Sequence, residues 1–580
     1  MIFKHKFNLI FLNILQILNE INVISSQNQP PNVVIILADD LGLNDVSFRG
    51  SNQFITPNID ALAYHGTILN HYYVPALCTP SRATLLTGKY PIHTGMQHYV
   101  IPNNEPWGLP LRYKIMPEIF KEHGYSTNLV GKWHLGFYKK AFTPTQRGFD
   151  YHYGYLGGYI GYYDHSMQVT SIPIDKGYDF RKNMDIEYKG NGTYATDLFT
   201  QESINVIKNH NASKPLFLMV THLAAHSGNE DDPFEAPPEE ISKFKYIKDP
   251  NRRIYAAMVS KLDQSVGKIV SALEEKKILD NTIIIFYSDN GAPTIGVHSN
   301  SGSNHPLRGQ KDSPWEGGVR TPGIIFSPLL KNQKRVLDQV VYVADWLPTL
   351  AAATNISIDA SFRMDGRNLW EQLSSPNPVI KQRQIVHNID DIFNYVSYMK
   401  GNWKYINGTT SRGNYDSWMG LINNETDPRS LNYVKTILNS EISMLLQSKN
   451  HTLDEESILN LREKSIVNCK DIRDSEKIHK YKCNPMFEEC LFNIQQDPCE
   501  HFNLASENPG ILHDMRIDIE HFRETAVKPA RKKSKSLDCD PKLYNGTWTW
   551  WKDINSGRRI NSNSVLVVIF CSIIGILSYF

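Results

Sequence analysis

The chain has 580 residues, too many for one ordinary core, so two domains are expected together with processed ends. Hydrophobic residues make up 41% and charged residues 21%, the proportions of a globular protein. A net charge of +1 gives no global field toward nucleic acid or membrane, and no stretch combines dense Lys/Arg with interleaved aromatics, so nucleic acid is excluded as a partner.

The first elements concern targeting. Lys4 and Lys6 precede an apolar stretch from Phe7 to Leu18, and Ser25 and Ser26 follow. This layout predicts a secretory signal peptide over residues 1–26, because the apolar part is too short to span a bilayer comfortably.

Four apolar runs then share one grammar. NVVIILADD (32–40) ends in Asp39 and Asp40, and STNLVGKWHLG (126–136) ends in Lys132 and His134. PLFLMVTHLAAHSG (215–228) runs into His222 and His226, and TIIIFYSDNG (282–291) ends in Asp289 and Asn290. Uninterrupted apolar runs of this length predict strands buried on both faces. Helical spacing appears between them at 58–66, 116–124 and 255–277. The alternation predicts an α/β fold, a large N-terminal domain with a mostly parallel sheet flanked by helices. Ligands of such sheets bind beyond the carboxyl ends of the strands, which is where all these charged residues lie.

From about residue 390 the texture changes. NYVSYMKGNWKYINGTT (394–410) predicts a hairpin with Lys-Gly-Asn at its turn. The polar stretch from about 420 to 485 reads as a loop-rich insertion or a partly disordered segment, with some helical spacing at 454–462. A smaller α+β C-terminal domain is expected over 391–540, after a main domain at 31–390. Cys469, Cys483, Cys490, Cys499 and Cys539 cluster there as stapling disulfides would, and their odd number leaves one over. Asn555, Ser556 and Gly557, a polar spacer and an apolar end at 565–580 fit a lipid-anchor signal over 555–580, with a simple tail anchor as the alternative. Seven sequons, at Asn191, Asn211, Asn355, Asn407, Asn424, Asn450 and Asn545, agree with a secretory route.

The chemistry follows from the strand ends. Asp39, Asp40, Asp289 and Asn290 offer hard oxygen donors suited to Ca²⁺ or Mg²⁺. Arg82, Lys132, His134, His226 and Lys311 would surround that cation, an arrangement for binding a tetrahedral oxyanion ester. Cys78 stands at a predicted helix start, where dipole and free N–H groups favour an anion, yet a plain thiolate is a poor partner for a hard metal and an anionic ester.

CTPSRATLLTG (78–88) and GYSTNLVGKWHLG (124–136) resemble the two signatures of the sulfatase family, within the alkaline-phosphatase-like superfamily. The likeness runs over about residues 31–390, through PNIDALAYHGTILNHYY, YSDNGAP and PLRGQKDSPWEGGVRTPG, and its flavour is that of the arylsulfatase B-like branch. The resemblance implies that Cys78 is oxidised to Cα-formylglycine by a formylglycine-generating enzyme that reads Pro80 and Arg82, and that the hydrate is the nucleophile. It implies Ca²⁺ on Asp39, Asp40, modified Cys78, Asp289 and Asn290, with Arg82, Lys132, His134, His226 and Lys311 handling sulfate and protons. The substrate class implied is a sulfated glycan, such as N-acetylgalactosamine 4-sulfate, or an aryl sulfate. The location implied is the secretory pathway, lysosomal or at the cell surface. Two competing readings are a phosphate mono- or diesterase of the same superfamily and a non-catalytic cell-surface glycan-binding protein. YHYGYLGGYIGYYDH (151–165), rich in Tyr and Gly, is the expected substrate loop.

Overall fold

The four apolar runs form the middle of one ten-stranded mixed sheet in the computed structural model. It describes residues 29–554 except 170–175, 360, 377–378, 380–381, 420–424, 470–481 and 532–533. The expected signal peptide and the 555–580 tail lie outside the described residues, as do Asn424 and Cys571. Among the described residues no helix is long and apolar enough to cross a membrane.

The strands in chain order are β1 (Asn32–Ala38), β2 (Thr67–Leu69), β3 (Ser126–Lys132), β4 (Tyr151–Tyr155), β5 (Arg181–Lys182), β6 (Asp185–Ile186), β7 (Leu216–Thr221), β8 (Thr282–Ser288), β9 (Gly323–Phe326) and β10 (Arg335–Leu337). Across the sheet they run β10-β2-β9-β8-β1-β7-β3-β4-β5-β6. The five central strands, β8, β1, β7, β3 and β4, are mutually parallel, while β9 and β5 turn antiparallel at the flanks. Every residue of β1, β7 and β8 is buried, as unbroken Val/Ile/Leu runs require. Burial of one such side chain is worth about 1.5–3 kcal/mol. Ile35, paired to Met219 on one side and Ile285 on the other, would cost about 2–5 kcal/mol if cut to Ala.

Register decides what meets at the strand ends. Ala38 pairs with Ser288 in parallel, so Asp39 and Asp289 leave the sheet side by side. Gly131 pairs with Thr221, one residue before Lys132. Gly131 has φ +113°, and a Cβ there would fall 2.0 Å from the Thr221 carbonyl oxygen, so the close approach of β3 and β7 needs glycine.

Helices cover the sheet. α1 (Pro57–His65) and the long α4 (Pro250–Glu275) are locked together by Asp263, whose Oδ1 accepts from Asn58 N (2.9 Å) and Ile59 N (2.8 Å) in the first turn of α1. α2 (Cys78–Thr87) ends on Gly88 in the left-handed region, and α3 (Ala195–Asn209) packs against α4.

A second sheet, antiparallel, follows: β11 (Gln384–Asp390), β12 (Tyr395–Lys400), β13 (Trp403–Asn407) and β14 (Cys490–Asn493), in that order. The predicted hairpin is β12–β13, with Lys400 opposite Trp403 and Gly401 at φ +60°. Its neighbour β11 ends at Asp390, so the small sheet begins before residue 391.

The polar stretch expected as a loop-rich insertion is largely helical where it is described. Glu441–Ser448 and Glu455–Ser465 bury Ile442, Leu446 and Ile458 in the same apolar cluster as the main sheet. Tyr433 donates to Asp60 of α1 at 2.5 Å and Arg462 to the Ser47 carbonyl at 3.0 Å. This region therefore covers the main body rather than the small sheet. Charge dominates its sequence because only one face of each short helix is buried. Cys469 pairs with Cys499 and Cys483 with Cys490; Cys539 is the one left over. All six described sequon asparagines are exposed.

Candidate active site

The carboxyl edge of the main sheet gathers all ten residues singled out from the sequence. Ligand atoms of Asp39, Asp40, Cys78 and Asp289 lie within 4.8 Å of one another, and all four residues are buried. Asp39 and Asp40 follow β1, Asp289 and Asn290 follow β8, and Cys78 opens α2. Asp40 takes a positive φ (+60°), turning its carboxylate back over the strand ends. Asn290 Nδ2 donates to Asp40 Oδ1 at 2.6 Å, while its own Oδ1 is buried with no partner.

Cations ring this cluster. Arg82, one helical turn after Cys78, donates from Nε (3.1 Å) and Nη2 (2.9 Å) to Asp289 Oδ2 and from Nη1 to the Lys132 carbonyl (3.2 Å). Lys132 Nζ reaches Asp39 Oδ2 at 2.5 Å, and Lys311 Nζ reaches Asp40 Oδ2 at 2.7 Å. His226 Nε2 lies 3.5 Å from Asp40 Oδ2, and its Nδ1 donates to the Ser227 carbonyl at 2.6 Å. His134 Nε2 donates to the Ile101 carbonyl at 3.2 Å, and its Nδ1 has no partner.

Burial sets the protonation states. It raises Asp40 and Asp289, with Lys311 and Arg82 respectively pulling the other way. It pushes the Cys78 thiol up to about 12, so the thiol keeps its proton 3.6 Å from Asp39 Oδ1. Burial, then the nearby lysines, holds His226 and His134 well below the usual imidazole range. Against the cost of burial, Asp40 and its neighbours keep the Lys311 ammonium charged.

Residues 31–356 match the sulfatase family profile, more than half of the chain. Arylsulfatase J of Mus musculus is 37% identical over 541 residues, covering 92% of this chain and 82% of the relative. The chain belongs to the sulfatase family. N-acetylgalactosamine-6-sulfatase of Homo sapiens is 31% identical over 361 residues, 60% of this chain and 67% of that protein. Among solved structures, Ps i-CgsB superposes with TM-score 0.66 at 27% identity, covering 89% of this chain and 97% of that one. The sulfatase PsFucS1 of Pseudoalteromonas sp. shares the fold at TM-score 0.61. Sulfatases hydrolyse sulfate esters, and the oxyanion-binding ring of cations fits that chemistry.

Several residues that hold this sulfatase site together carried no signal in the sequence. Gly158, in the Tyr/Gly-rich loop, lets that loop approach His134: a Cβ there would fall 3.0 Å from Nε2. Asn300 Nδ2 donates to the carbonyls of Asp40 (2.8 Å) and Ala225 (2.9 Å), tying the loops after β1, β7 and β8. Arg308 lies over the Trp315 ring (3.5 Å from its centroid) and donates to the carbonyls of Asp416 (2.7 Å) and Cys483 (3.0 Å), so the C-terminal region clamps the loop that carries Lys311. An Asn or Arg whose hydrogen-bond partners lie 75 to 260 residues away leaves no local pattern. Conversely, His222, at a strand end like His226, is turned into the packing of α4, where it meets Ser265 Oγ at 3.0 Å.

Proposed function

We propose that this chain hydrolyses sulfate esters of sugars, N-acetylgalactosamine 4-sulfate among them, using Cα-formylglycine at position 78 and one Ca²⁺. The observation that carries the reading is the four-residue ligand cluster with the unpartnered Asn290 Oδ1 beside it. Asp39, Asp40, Asp289 and Asn290 supply the oxygen donors a hard divalent cation prefers. Cys78 is the misfit in that set, because a protonated thiol is a poor ligand for a hard cation and a poor nucleophile. Oxidation to formylglycine replaces that sulfur with the oxygens of an aldehyde hydrate. Bound Ca²⁺ supplies Lewis-acid polarisation of the sulfate, and the hydrate supplies an oxygen nucleophile with a second hydroxyl beside it.

The chain's own residues do the rest. Lys132, Lys311 and Arg82, all buried or nearly so, offset charge on the sulfate oxygens. Because the Nδ1–H of His226 is committed to the Ser227 carbonyl and the ring is neutral, Nε2 carries a lone pair; the Lys311 ammonium, which shares Asp40 with it, supplies the proton that His226 Nε2 relays to the departing alcohol. His134 has the opposite tautomer. Its Nε2–H is held by the Ile101 carbonyl, so Nδ1 keeps a lone pair, and low proton affinity keeps it ready to take the proton of the second hydroxyl. A two-zinc phosphatase needs a second ligand cluster beside the first, and among the described residues one such cluster occurs.

The exposed sequons agree with folding in the secretory pathway; lysosomal or surface residence and membrane attachment through the 555–580 tail are proposed on the sequence pattern alone. The test uses protein from secretory cells that install formylglycine, assayed for sulfate release from N-acetylgalactosamine 4-sulfate, its 6-sulfate and an aryl sulfate. Mass analysis of the peptide spanning Cys78 runs alongside. Formylglycine with Ca²⁺-dependent release supports the reading. An intact thiol with no release supports a non-catalytic glycan-binding protein, and wild-type turnover by Cys78→Ser overturns the mechanism.

A further inference from the structure

The wall beside His226 contains two more rings. Tyr159 stacks on His226 with centroids 5.6 Å apart and planes 11° apart. His298 lies 4.6 Å from Tyr159 and 5.5 Å from His226, centroid to centroid. Tyr159 and His226 are buried, while His298 is half-buried and forms the solvent side of the trio. Its ring nitrogens have no hydrogen bond among the described residues.

The loop that carries His298 is held at three points, each next to a site residue. Ser227 Oγ, beside His226, donates to the His298 carbonyl at 3.2 Å. Gln310, beside Lys311, exchanges hydrogen bonds with the backbone of Ile295, accepting at 3.0 Å and donating at 2.8 Å. Asn300 donates to the Asp40 and Ala225 carbonyls. His298 sits at φ +56°, which costs energy in a residue with a Cβ, and this anchoring sustains it. Ile295 and Val297, just before it in the chain, are 46% and 68% exposed, so the loop presents apolar side chains next to one polar ring.

We propose that His298 is a substrate-contacting residue that hydrogen-bonds a polar substituent on the sugar ring bearing the ester, a hydroxyl or an amide next to the sulfated carbon. The inference rests on the sulfate-ester reading above. His226 faces the ester oxygen, so the group next to it meets whatever that oxygen is attached to. Burial, with Lys311 and Lys132 in reach, holds His298 at about 4, so the imidazole is neutral with one donor and one acceptor. Neutral polar groups and apolar edges are what a pyranose ring presents. A flat aryl leaving group has nothing for the imidazole to bond.

The test compares His298→Ala, His298→Phe and His298→Gln on two substrates, N-acetylgalactosamine 4-sulfate and p-nitrophenyl sulfate, with Ca²⁺ present. Wild-type turnover of both substrates is established first, and failure there counts against the sulfate-ester reading rather than this one. One lost hydrogen bond is worth about 1 kcal/mol, roughly fivefold. Ala and Phe are therefore expected to lower kcat/KM for the sugar sulfate about fivefold, mainly through KM, and to leave the aryl sulfate within about twofold. Gln, which keeps a donor and an acceptor, is expected to restore most of the sugar activity. Equal losses on both substrates, or a shifted pH profile in the variants, would mean that His298 acts through His226, and the proposal fails. Unchanged sugar kinetics in Ala and Phe also overturn it.

Discussion

Two clusters of buried charge lie on either side of the Lys311 loop, and they differ in whether they are finished. At the seam with the small sheet, Lys404 Nζ pairs with Glu316 Oε1 (3.0 Å) and Glu500 Oε1 (2.8 Å), all fully buried. Tyr73 OH donates to Glu316 Oε2, and Glu316 N donates to Glu500 Oε2, both at 2.8 Å. Every carboxylate oxygen there faces a donor or a cation, Glu500 Oε1 through its ion pair with Lys404 and without a hydrogen bond among the described residues. At the site three buried carboxylates face Arg82, Lys132 and Lys311, but among the described residues Asn290 Oδ1 has no partner and Asp39 Oδ1 meets a thiol. A buried polar atom left unpaired costs about 1–3 kcal/mol; at the seam the Lys404 ammonium offsets that cost for Glu500 Oε1, and at the site no group among the described residues does so for Asn290 Oδ1. The seam cluster closes on itself and joins two parts of the fold; the site cluster keeps oxygens that the rest of the described protein does not pair.

That contrast predicts that activity and stability come apart. The largest effect belongs to the open cluster: Cys78→Ala is expected to lower kcat/KM by about 10⁴-fold or more while the thermal midpoint holds. A matching loss of stability would show that position 78 is structural. Lys404→Met should do the reverse. It strands two buried carboxylates, costing about 3–5 kcal/mol in denaturant unfolding, with kcat/KM of the folded fraction unchanged. A large kcat/KM defect there would mean that the seam reaches the chemistry through the Lys311 loop.

Asn290→Leu comes next. Wild type should gain thermal stability with Ca²⁺ and lose it with chelator, and the variant should need about 10–100-fold more Ca²⁺ for the same gain. Equal calcium responses would remove Asn290 from the ligand set. The smallest effect is the pH dependence of the seam. Burial, with Glu316 adding to it against Lys404, raises Glu500 to about 7 from an ordinary 4.5. The folded state therefore binds that proton more tightly than the unfolded state. Its contribution is complete below about pH 4.5 and is lost as pH rises through about 7. Glu500→Gln should flatten the decline in thermal midpoint between pH 5 and 8; an unchanged slope would place the titration elsewhere.

The open cluster was legible in the sequence and the closed one was not, for a physical reason. Asp39-Asp40 and Asp289-Asn290 each end an apolar run that can only be an interior strand, so their place at the sheet edge follows from local pattern. Cys78 and Arg82 share a helix face by spacing alone. Lys404, Glu316 and Glu500 come from three distant segments, each ordinary by itself, and nothing in the chain marks them as partners. The same holds for Asn300, Gly158 and His298 around the site. Residues 433–465 misled in the other direction, since their charged faces outnumber the few apolar positions that dock them on α1 and β10.

The sequence by itself determined the α/β class, the hairpin at 394–410 and the sulfatase family, and it singled out ten residues that the fold brings to one sheet edge, because each is written in contiguous runs or fixed short spacings. Only the tertiary structure decided which cysteines pair, which histidine after β7 lies beside Asp40, where the charged helices dock and how the buried charges are partnered. Those outcomes depend on strand register and on contacts between segments hundreds of residues apart, where a one-residue shift would turn every side chain to the other face.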